Sequence, residues 1–390
     1  MSPLSDLRVV ELGHALAAPF AGSLLGDFGA DIIKIEQPEV GDSLRRMGPH
    51  LEHSSVWWSV TGRNKRSICI DFKDPDGLAV VHRLIAEADI LVENFRPGVL
   101  DRSGLGWEEL HALNPGLIYL SISGYGHQGP NSSRPGFGKI AEAFSGATHL
   151  TGAADATPVH PGYSLGDATT GLMGAYGVMV AVHARETTGQ GQHIDLALYE
   201  SLMRMIEWQV PLRELQGWEV SRTGNQFPFE DAFLTDICRT RDGHNIVISA
   251  ATSKSLDAVR SLLLTDGVIT DPGASPQEMA PALRDWVAAR SQTEAMERLR
   301  EFDVVVGPVH TSTDIVADPH IAARENLVTV ADATGTQIPM PNVIPRLADT
   351  PGEVRWAGAP LGHQTDEVLR DAAGLSADEI ADLRRRRIVS

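Results

Sequence analysis

Over the first 125 residues, continuous apolar runs alternate with stretches in which apolar residues recur every three or four positions. LRVVEL (7–12), ADIIKIE (30–36), DILVEN (89–94) and GLIYLSISG (116–124) read as strands buried on both faces. AAPFAGSLLGDFG (17–29), with Pro19 in its first turn, and PDGLAVVHRLIAEA (75–88) carry helical periodicity. Strands separated by helices of this length predict βαβ units and a largely parallel sheet. FGKIAEAFSGATHL (137–150) and GDATTGLMGAYGVMVAVHARETTG (166–189) predict helices, HIDLAL (193–198) a strand that leads into another helix, YESLMRMIEWQVPLREL (199–215). Around RTGNQFPFED (222–231) the alternation breaks. A second region follows, with GHNIVISAA (243–251) as a strand and three helical patterns between 253 and 302. From GTQIPMPN (335–342) to RWAGAP (355–360) proline is frequent and periodicity low, as in a linker, and two short helices close the chain. The expected organisation is a large domain over 1–200, a linker over 201–225, a small domain over 226–330, a second linker over 331–360 and a C-terminal segment, 361–390, belonging to the large domain.

Composition narrows the class. Hydrophobic residues make up 42% of the 390 and charged residues 22%, as in a water-soluble globular chain. No uncharged apolar run approaches the roughly 20 residues of a membrane span, and MSPLSDLRVVEL lacks the basic and apolar regions of a secretory signal. Two cysteines, Cys69 and Cys238, give no disulfide framework, so the cytoplasm is the expected compartment. Thirty-three basic against 51 acidic side chains leave a net charge of −18, which argues against nucleic-acid or anionic-membrane partners. Small anionic ligands remain compatible with it, because a helix N-terminus and a few local cations suffice to hold phosphates. The run RRRR (384–387) reads as a solvated helix end.

Candidate chemistry is sparse. The first βα turn, ELGHALAAP (11–19), holds Gly13 alone and lacks the G-x-G-x-x-G fingerprint of nicotinamide enzymes, and Glu36 at the end of the second strand is no substitute for it. No H-E-x-x-H, no paired cysteines and no G-x-S-x-G elbow occur, so metal-dependent and Ser-His-Asp hydrolysis lack support and no metal is expected. YSLGDATTG (163–171) stands out instead. It puts a lone carboxylate, Asp167, at a helix start, followed by Gly171, Gly174 and Gly177 on roughly one side of the helix. Each glycine inside a helix costs about 1 kcal/mol relative to alanine, so their recurrence points to close backbone approach.

The blocks LRVVELGHALAAPFAGSLLGDFGADIIKIEQPEVGD, GRNKRSICIDFKDPDG, ADILVENFRPGVLDRSGLGWEEL, NPGLIYLSISGYGHQGP, SLGDATTGLMGAYGVMVAVHARETTGQGQHIDLAL, VVVGPVHTSTDIVADPHI and APLGHQTDEVL together resemble the family III CoA-transferases, the CaiB/BaiF group, in that family's order along nearly the whole chain. The resemblance implies an α/β fold, with a Rossmann-like large domain, a smaller inserted α+β domain, and a homodimer whose chains interlock as rings. It implies transfer of CoA from an acyl-CoA to a carboxylic acid, with no permanently bound cofactor and CoA thioesters as substrates. It places the catalytic aspartate at Asp167, passing through aspartyl anhydride and aspartyl-CoA thioester intermediates. It also places CoA contacts at His14, Ala15, Leu16, Ala17, Lys73, Asn94, Phe95 and Arg102. Arg63, Lys65 and Arg66 form a cationic cluster suited to phosphate.

Departures bear on the substrate. The oxalate-using branch has Gln where this chain has Leu16, a Tyr-Glu pair in place of Gly138-Lys139, and a glycine-rich loop where this chain has NQFPFEDAFLTDICRTRDG (225–243). Oxalate is therefore not the expected acceptor, and Lys139 is a candidate for meeting a second carboxylate. Two alternatives share the fold. An α-methylacyl-CoA racemase pairs its aspartate with a histidine, here replaced by Phe137, and a noncatalytic acyl-CoA binder would have no need of Asp167.

Overall fold

A computed structural model describes residues 2–51, 54–226 and 233–390. The chain forms two compact units, one of residues 1–145, 162–206 and 320–390, the other of 146–161 and 207–319.

The first unit is built on six parallel strands, β1 (Arg8–Glu11), β2 (Asp31–Glu36), β3 (Lys65–Cys69), β4 (Ile90–Glu93), β5 (Ile118–Ser123) and β6 (His193–Ala197). Their order is β3-β2-β1-β4-β5-β6. The apolar runs are continuous because both faces of the sheet are covered. Val9, Ile32, Ile90, Val92 and Leu120 face the helices α1 (Ala17–Asp27) and, later in the chain, Leu165–Thr188, while Val10, Ile33, Leu91 and Tyr119 face the opposite core. Short or amphipathic helices follow: α2 (Val56–Thr61), α3 (Pro75–Ala86), α4 (Trp107–Leu113) and α5 (Gly138–Phe144). The long helix α6 (Leu165–Thr188) and α7 (Leu198–Met205) complete this part of the unit. Gly189, in a left-handed conformation (φ 68°), stops α6.

α6 is long and apolar enough to cross a membrane by length and composition, contrary to the expectation that no stretch comes near a membrane span. One of its edges packs inward. A methyl group on Gly171 would lie 2.6 Å from the carbonyl oxygen of Ala17, and one on Gly174 would lie 2.9 Å from Leu120. Two of the three glycines thus let α6 press against the start of α1 and against β5. Gly177 meets nothing closer than 3.6 Å and has no such reason.

In the second unit α8 (Gln209–Gln216) precedes an antiparallel sheet of β7 (Leu234–Arg239), β8 (Asn245–Ala250) and β9 (Val306–Pro308). α9 (Ser253–Thr265), α10 (Pro276–Ala288) and α11 (Gln292–Glu301) cover it through Val259, Leu262, Leu283, Trp286 and Leu299, and α12 (Ser312–Ala317) ends the unit. Residues 227–232, within the stretch that stands where the oxalate branch has its glycine-rich loop, lie outside the described residues.

After α13 (Pro319–Ala323) the chain forms an antiparallel hairpin, β10 (Leu327–Ala331) and β11 (Gln337–Pro341). This corrects the reading of 331–360 as linker for its first third, whereas 342–360 form neither helix nor strand. The alternation of β11, buried at Ile338 and Met340 and exposed between, is a half-buried strand whose two prolines mimic a linker. α14 (Thr365–Asp371) and α15 (Ala377–Arg385) then place Val368, Leu369, Ile380 and Leu383 in the same core as β1 and β2.

Candidate active site

Reversal of strand order between β1 and β4 opens a crevice at the carboxyl ends of the strands, where doubly wound sheets bind ligands. The turn from β1 into α1 forms one wall. The His14 N–H donates to Asn94 Oδ1 at 2.7 Å, and Asn94 Nδ2 returns a hydrogen bond to the His14 carbonyl at 2.8 Å. Ala15 adopts the left-handed conformation (φ 58°), which costs an L-residue about 1–2 kcal/mol. Its N–H donates to Asp42 Oδ1 at 2.9 Å, which holds the strained turn in place.

A buried charge network supports that turn. Lys34 Nζ lies 2.8 Å from Asp42 and 3.1 Å from Glu11, and it also donates to the Gly13 carbonyl. Lys65 Nζ lies 2.8 Å from the other oxygen of Glu11. Burial alone would raise the Asp42 pKa, but the Lys34 charge and the backbone N–H groups of Leu44 and Ala15 bring it down to about 2. The Lys34 ammonium is held above its usual range by Asp42, Glu11 and Glu36 despite the opposing burial. Charges this deep survive only when paired, and here the pairing fixes one backbone turn.

The cleft has a volume of about 240 Å³ and is lined by His14–Ala17, Asn94–Pro97, Ile122–Gly124, Arg134, Phe137 and Asp167, among others. Burial, then Lys34, lowers the His14 pKa, which favours the neutral imidazole. The N-terminus of α1 opens on this wall with no side-chain cap and no acid in its first turn. Its free N–H groups and positive dipole end are complementary to an anion.

Asp167 faces the cleft from the first turn of α6, whose N-cap is Ser164. Its carboxylate is half-buried against the α-carbon of Gly138, the first residue of α5. Glu142, one turn further along α5, is buried, and its Oε1 accepts the Gly166 N–H at 3.2 Å. Burial, then the charge of Glu142, pushes the Asp167 pKa up to about 6, with Lys139 opposing. The helix terminus alone would favour the ionised form, so burial and Glu142 outweigh it here.

The structure therefore brings His14, Ala15, Leu16, Ala17, Asn94, Phe95 and Asp167 to one cleft. Lys73 and Arg102 do not line it. Both are exposed, in the segments that follow β3 and β4. Arg63 and Lys65 require a correction. Arg63 is buried and makes a two-point ion pair with Asp27, 2.9 and 2.5 Å, while Lys65 is enclosed by Glu11 and the Pro19 carbonyl. Neither has an ammonium or guanidinium free for a phosphate. Arg66 is bound to Asp31 and Glu367. Lys65 and Arg66 lie on the edge strand β3, and the charges of all three residues are paired by acids from α1, β1, β2 and α14. Lys139, expected to face a second substrate carboxylate, instead lies 3.1 Å from both oxygens of Glu142 and 2.7 Å from the Tyr163 carbonyl. Glu36 is likewise occupied, by Arg45, Ser67 and the Asp42 N–H.

Several site residues carried no usable signal in the sequence. Asp42, Lys34 and Glu142 were ordinary charges there, and Arg96 and Arg134 were not singled out although both line the cleft. Behind Phe95, the buried Glu93 accepts its N–H at 2.6 Å and the hydroxyl of Ser121, whose Oγ lies 2.6 Å from His127 Nε2. Burial pushes the Glu93 carboxyl up to about 7. Among the described residues no group of three or more His, Cys, Asp or Glu is arranged to hold a metal ion.

The first unit is thus a doubly wound α/β fold with a half-buried carboxylate and an uncapped helix start in one cleft. The comparisons give the family. Residues 4–365 match the sequence profile of CoA-transferase family III, and the chain belongs to that family. It is 39% identical to the succinyl-CoA–D-citramalate CoA-transferase of Chloroflexus aurantiacus, over 99% of this chain and 98% of that one. It is 32% identical to a formyl-CoA:oxalate CoA-transferase of Bradyrhizobium, over 97% and 96% of the two chains. A CAIB/BAIF family protein from Brucella suis superimposes with a TM-score of 0.84 at 32% identity, covering 95% of this chain and 99% of that one.

Proposed function

We propose that this protein moves CoA from an acyl-CoA thioester to a carboxylic acid, with Asp167 as the covalent carrier. The observation that carries this reading is a carboxylate of raised basicity sharing one cleft with the uncapped start of α1. In the first step an Asp167 oxygen bonds to the thioester carbon, the C–S bond breaks, and CoA leaves as a thiolate bearing the electron pair. The thiolate then attacks the aspartyl carbonyl of the anhydride, releasing the donor's carboxylate and leaving an aspartyl-CoA thioester. The acceptor carboxylate attacks that thioester to form a second anhydride, and the thiolate attacks the acceptor's carbonyl to regenerate Asp167. One thioester replaces another of similar energy, so no metal, ATP or resident cofactor is needed.

For CoA, the turn His14–Ala17, the start of α1, Asn94 and Phe95 form the inner contacts. Lys73 and Arg102, on segments at the carboxyl end of the sheet, supply charge for the outer phosphates. Relatives at 39–40% identity carry succinyl-CoA, citramalate and malate in their names, whereas the oxalate transferases stand at 31–32%. Arg96 and Arg134 give the cleft two guanidinium groups able to pair with a carboxylate. These facts favour dicarboxylates longer than oxalate, of the size of succinate, malate and citramalate, as acyl group and acceptor.

A homodimer fits the surface. Leu172, Tyr176 and Val180 recur along the outer side of α6, and Phe137, Ile140 and Phe144 are exposed on and beside α5. A second copy of the chain, interlocked as in the family, would cover them. Light scattering reads the dimer directly. The decisive test of the chemistry is Asp167→Ala together with hydroxylamine or borohydride quenching during turnover. The variant is expected to bind acyl-CoA without transferring it, and the wild type to yield a peptide modified at Asp167. Retained transfer in the variant would end this reading, and binding with no trapped adduct in the wild type would favour a noncatalytic binder.

A further inference from the structure

Glu142 and Lys139 on α5 are two opposite charges set beside the reactive carboxylate. Glu142 is 1% exposed, and its Oε1 ties down the Gly166 N–H, one residue before Asp167, at 3.2 Å. Lys139 Nζ sits 3.1 Å from each Glu142 oxygen and 2.7 Å from the Tyr163 carbonyl, so it spans from α5 to the segment leading into α6. The two helices meet through backbone here. A methyl group on Gly166 would lie 2.7 Å from the Gly138 carbonyl oxygen, so the charges and Asp167 are held at fixed separation.

We propose that Glu142 and Lys139 act as a positioning pair that tunes Asp167 through opposed charges, Glu142 driving its carboxylate toward acyl transfer and Lys139 limiting the effect. The inference rests on the reading of Asp167 as acyl carrier. Attack on the thioester converts Asp167 from an anion to a neutral anhydride, while the negative charge departs on the CoA sulfur. Repulsion between Glu142 and Asp167 is present before that step and absent after it, so Glu142 raises the carboxylate's energy selectively in the ground state. The same repulsion contributes, after burial, to the raised basicity of Asp167, and Lys139 contributes with the opposite sign. Other charged or titratable side chains lining the cleft are His14 on the β1–α1 turn, Arg96 after β4 and Arg134 before α5. Substitutions at 139 and 142 leave these three unchanged.

The test is the pH–rate profile of Glu142→Gln and Lys139→Met, with succinyl-CoA as donor and malate as acceptor. Glutamine keeps an acceptor for the Gly166 N–H while removing the charge and one of the two oxygens that accept from Lys139. In Glu142→Gln the acid limb of kcat/KM is expected to move down by about half to one pH unit. Plateau kcat should fall several-fold with KM for the CoA ester nearly unchanged. In Lys139→Met the acid limb is expected to move up. Limbs that stay in place, or move in the same direction in both variants, overturn the proposal. Should a variant turn over too slowly for a profile, direct titration of the Asp167 carboxyl by ¹³C NMR decides: opposite displacements support the pair, and unchanged titration refutes it. An active Asp167→Ala variant would instead remove the underlying reading, which keeps the two failures distinct.

Discussion

Gly138 and Asp167 touch without a side chain between them: a methyl group built on the Gly138 α-carbon would lie 2.8 Å from Asp167 Cγ and overlap its Oδ2. Gly138 opens α5 with no side-chain cap, so nothing about the helix itself requires glycine there. The requirement comes from the carboxylate. Gly138→Ala is expected to displace Asp167 and to reduce kcat at least 100-fold, since misplacement by about 1 Å costs that much. Acyl-CoA binding, measured by calorimetry, should change less than tenfold. A variant with wild-type kcat would show that Asp167 need not occupy its present position.

Asp167 also carries a stability cost with a definite pH window. Its pKa stands at about 6 in the folded protein against an ordinary 3.8. The folded state thus holds the proton longer than the unfolded state does, and above about pH 6 the ionised carboxylate opposes folding. Asp167→Asn is expected to be inactive yet more stable than the wild type at pH 7.5, by on the order of 1 kcal/mol after allowance for partial exposure. The advantage should vanish below pH 4. Urea denaturation at the two pH values measures it, and a variant less stable at pH 7.5 would contradict the assigned environment.

How far the sequence discloses this arrangement depends on which neighbours a residue needs. Val9 and Val10 announce a strand buried on both sides because each lies against its own core, a property local to the run. β3 escapes the same reading. Lys65 and Arg66 look like part of a phosphate-binding cluster, and only the fold shows Glu11 beside one and Asp31 beside the other. Arg63 is the same case, neutralised by Asp27, 36 positions upstream. The family resemblance singles out Asp167, and the structure places it on the cleft. Glu142 was not legible, since an i,i+3 pair with Lys139 is what any surface helix displays. The strands buried on both faces can be read from local pattern, whereas β3, the β10–β11 hairpin and the charges of the site acquire meaning only once the fold brings distant partners together.

The Lys34–Asp42 pair predicts acid behaviour. Asp42 has a folded pKa of about 2, below its ordinary 3.8, so its stabilisation is present above about pH 4 and is lost as pH falls toward 2. The window corresponds to about 2 kcal/mol. Asp42→Asn keeps an oxygen able to accept the Ala15 N–H but sets an amide NH2 against the Lys34 ammonium and leaves Glu11 as its ion-pair partner, and it is expected to cost about 3 kcal/mol at pH 7. Its deficit relative to the wild type should shrink between pH 4 and 2. A deficit constant across that range would mean that the Asp42 charge contributes nothing.

Phe137 bears on the racemase alternative. It is 74% exposed and lines the cleft with Asp167, but its ring has no proton to give or take. Inversion at an α-carbon needs an acid and a base on opposite faces. Incubating a 2-methylacyl-CoA with the enzyme in D₂O, without a carboxylate acceptor, is therefore expected to leave the α-position unlabelled. Adding a dicarboxylate should move CoA to the acceptor, and the α-hydrogen should still be retained, because acyl transfer through Asp167 breaks only bonds at the carbonyl carbon. Deuterium uptake before any acceptor is added would overturn this expectation. His14 would then be the first candidate for the second proton-transfer group, since its imidazole lines the same cleft and burial, then Lys34, lowers its pKa toward the neutral form. His14→Ala would identify it: loss of exchange with transfer intact would assign His14 the base, and loss of neither would exclude it.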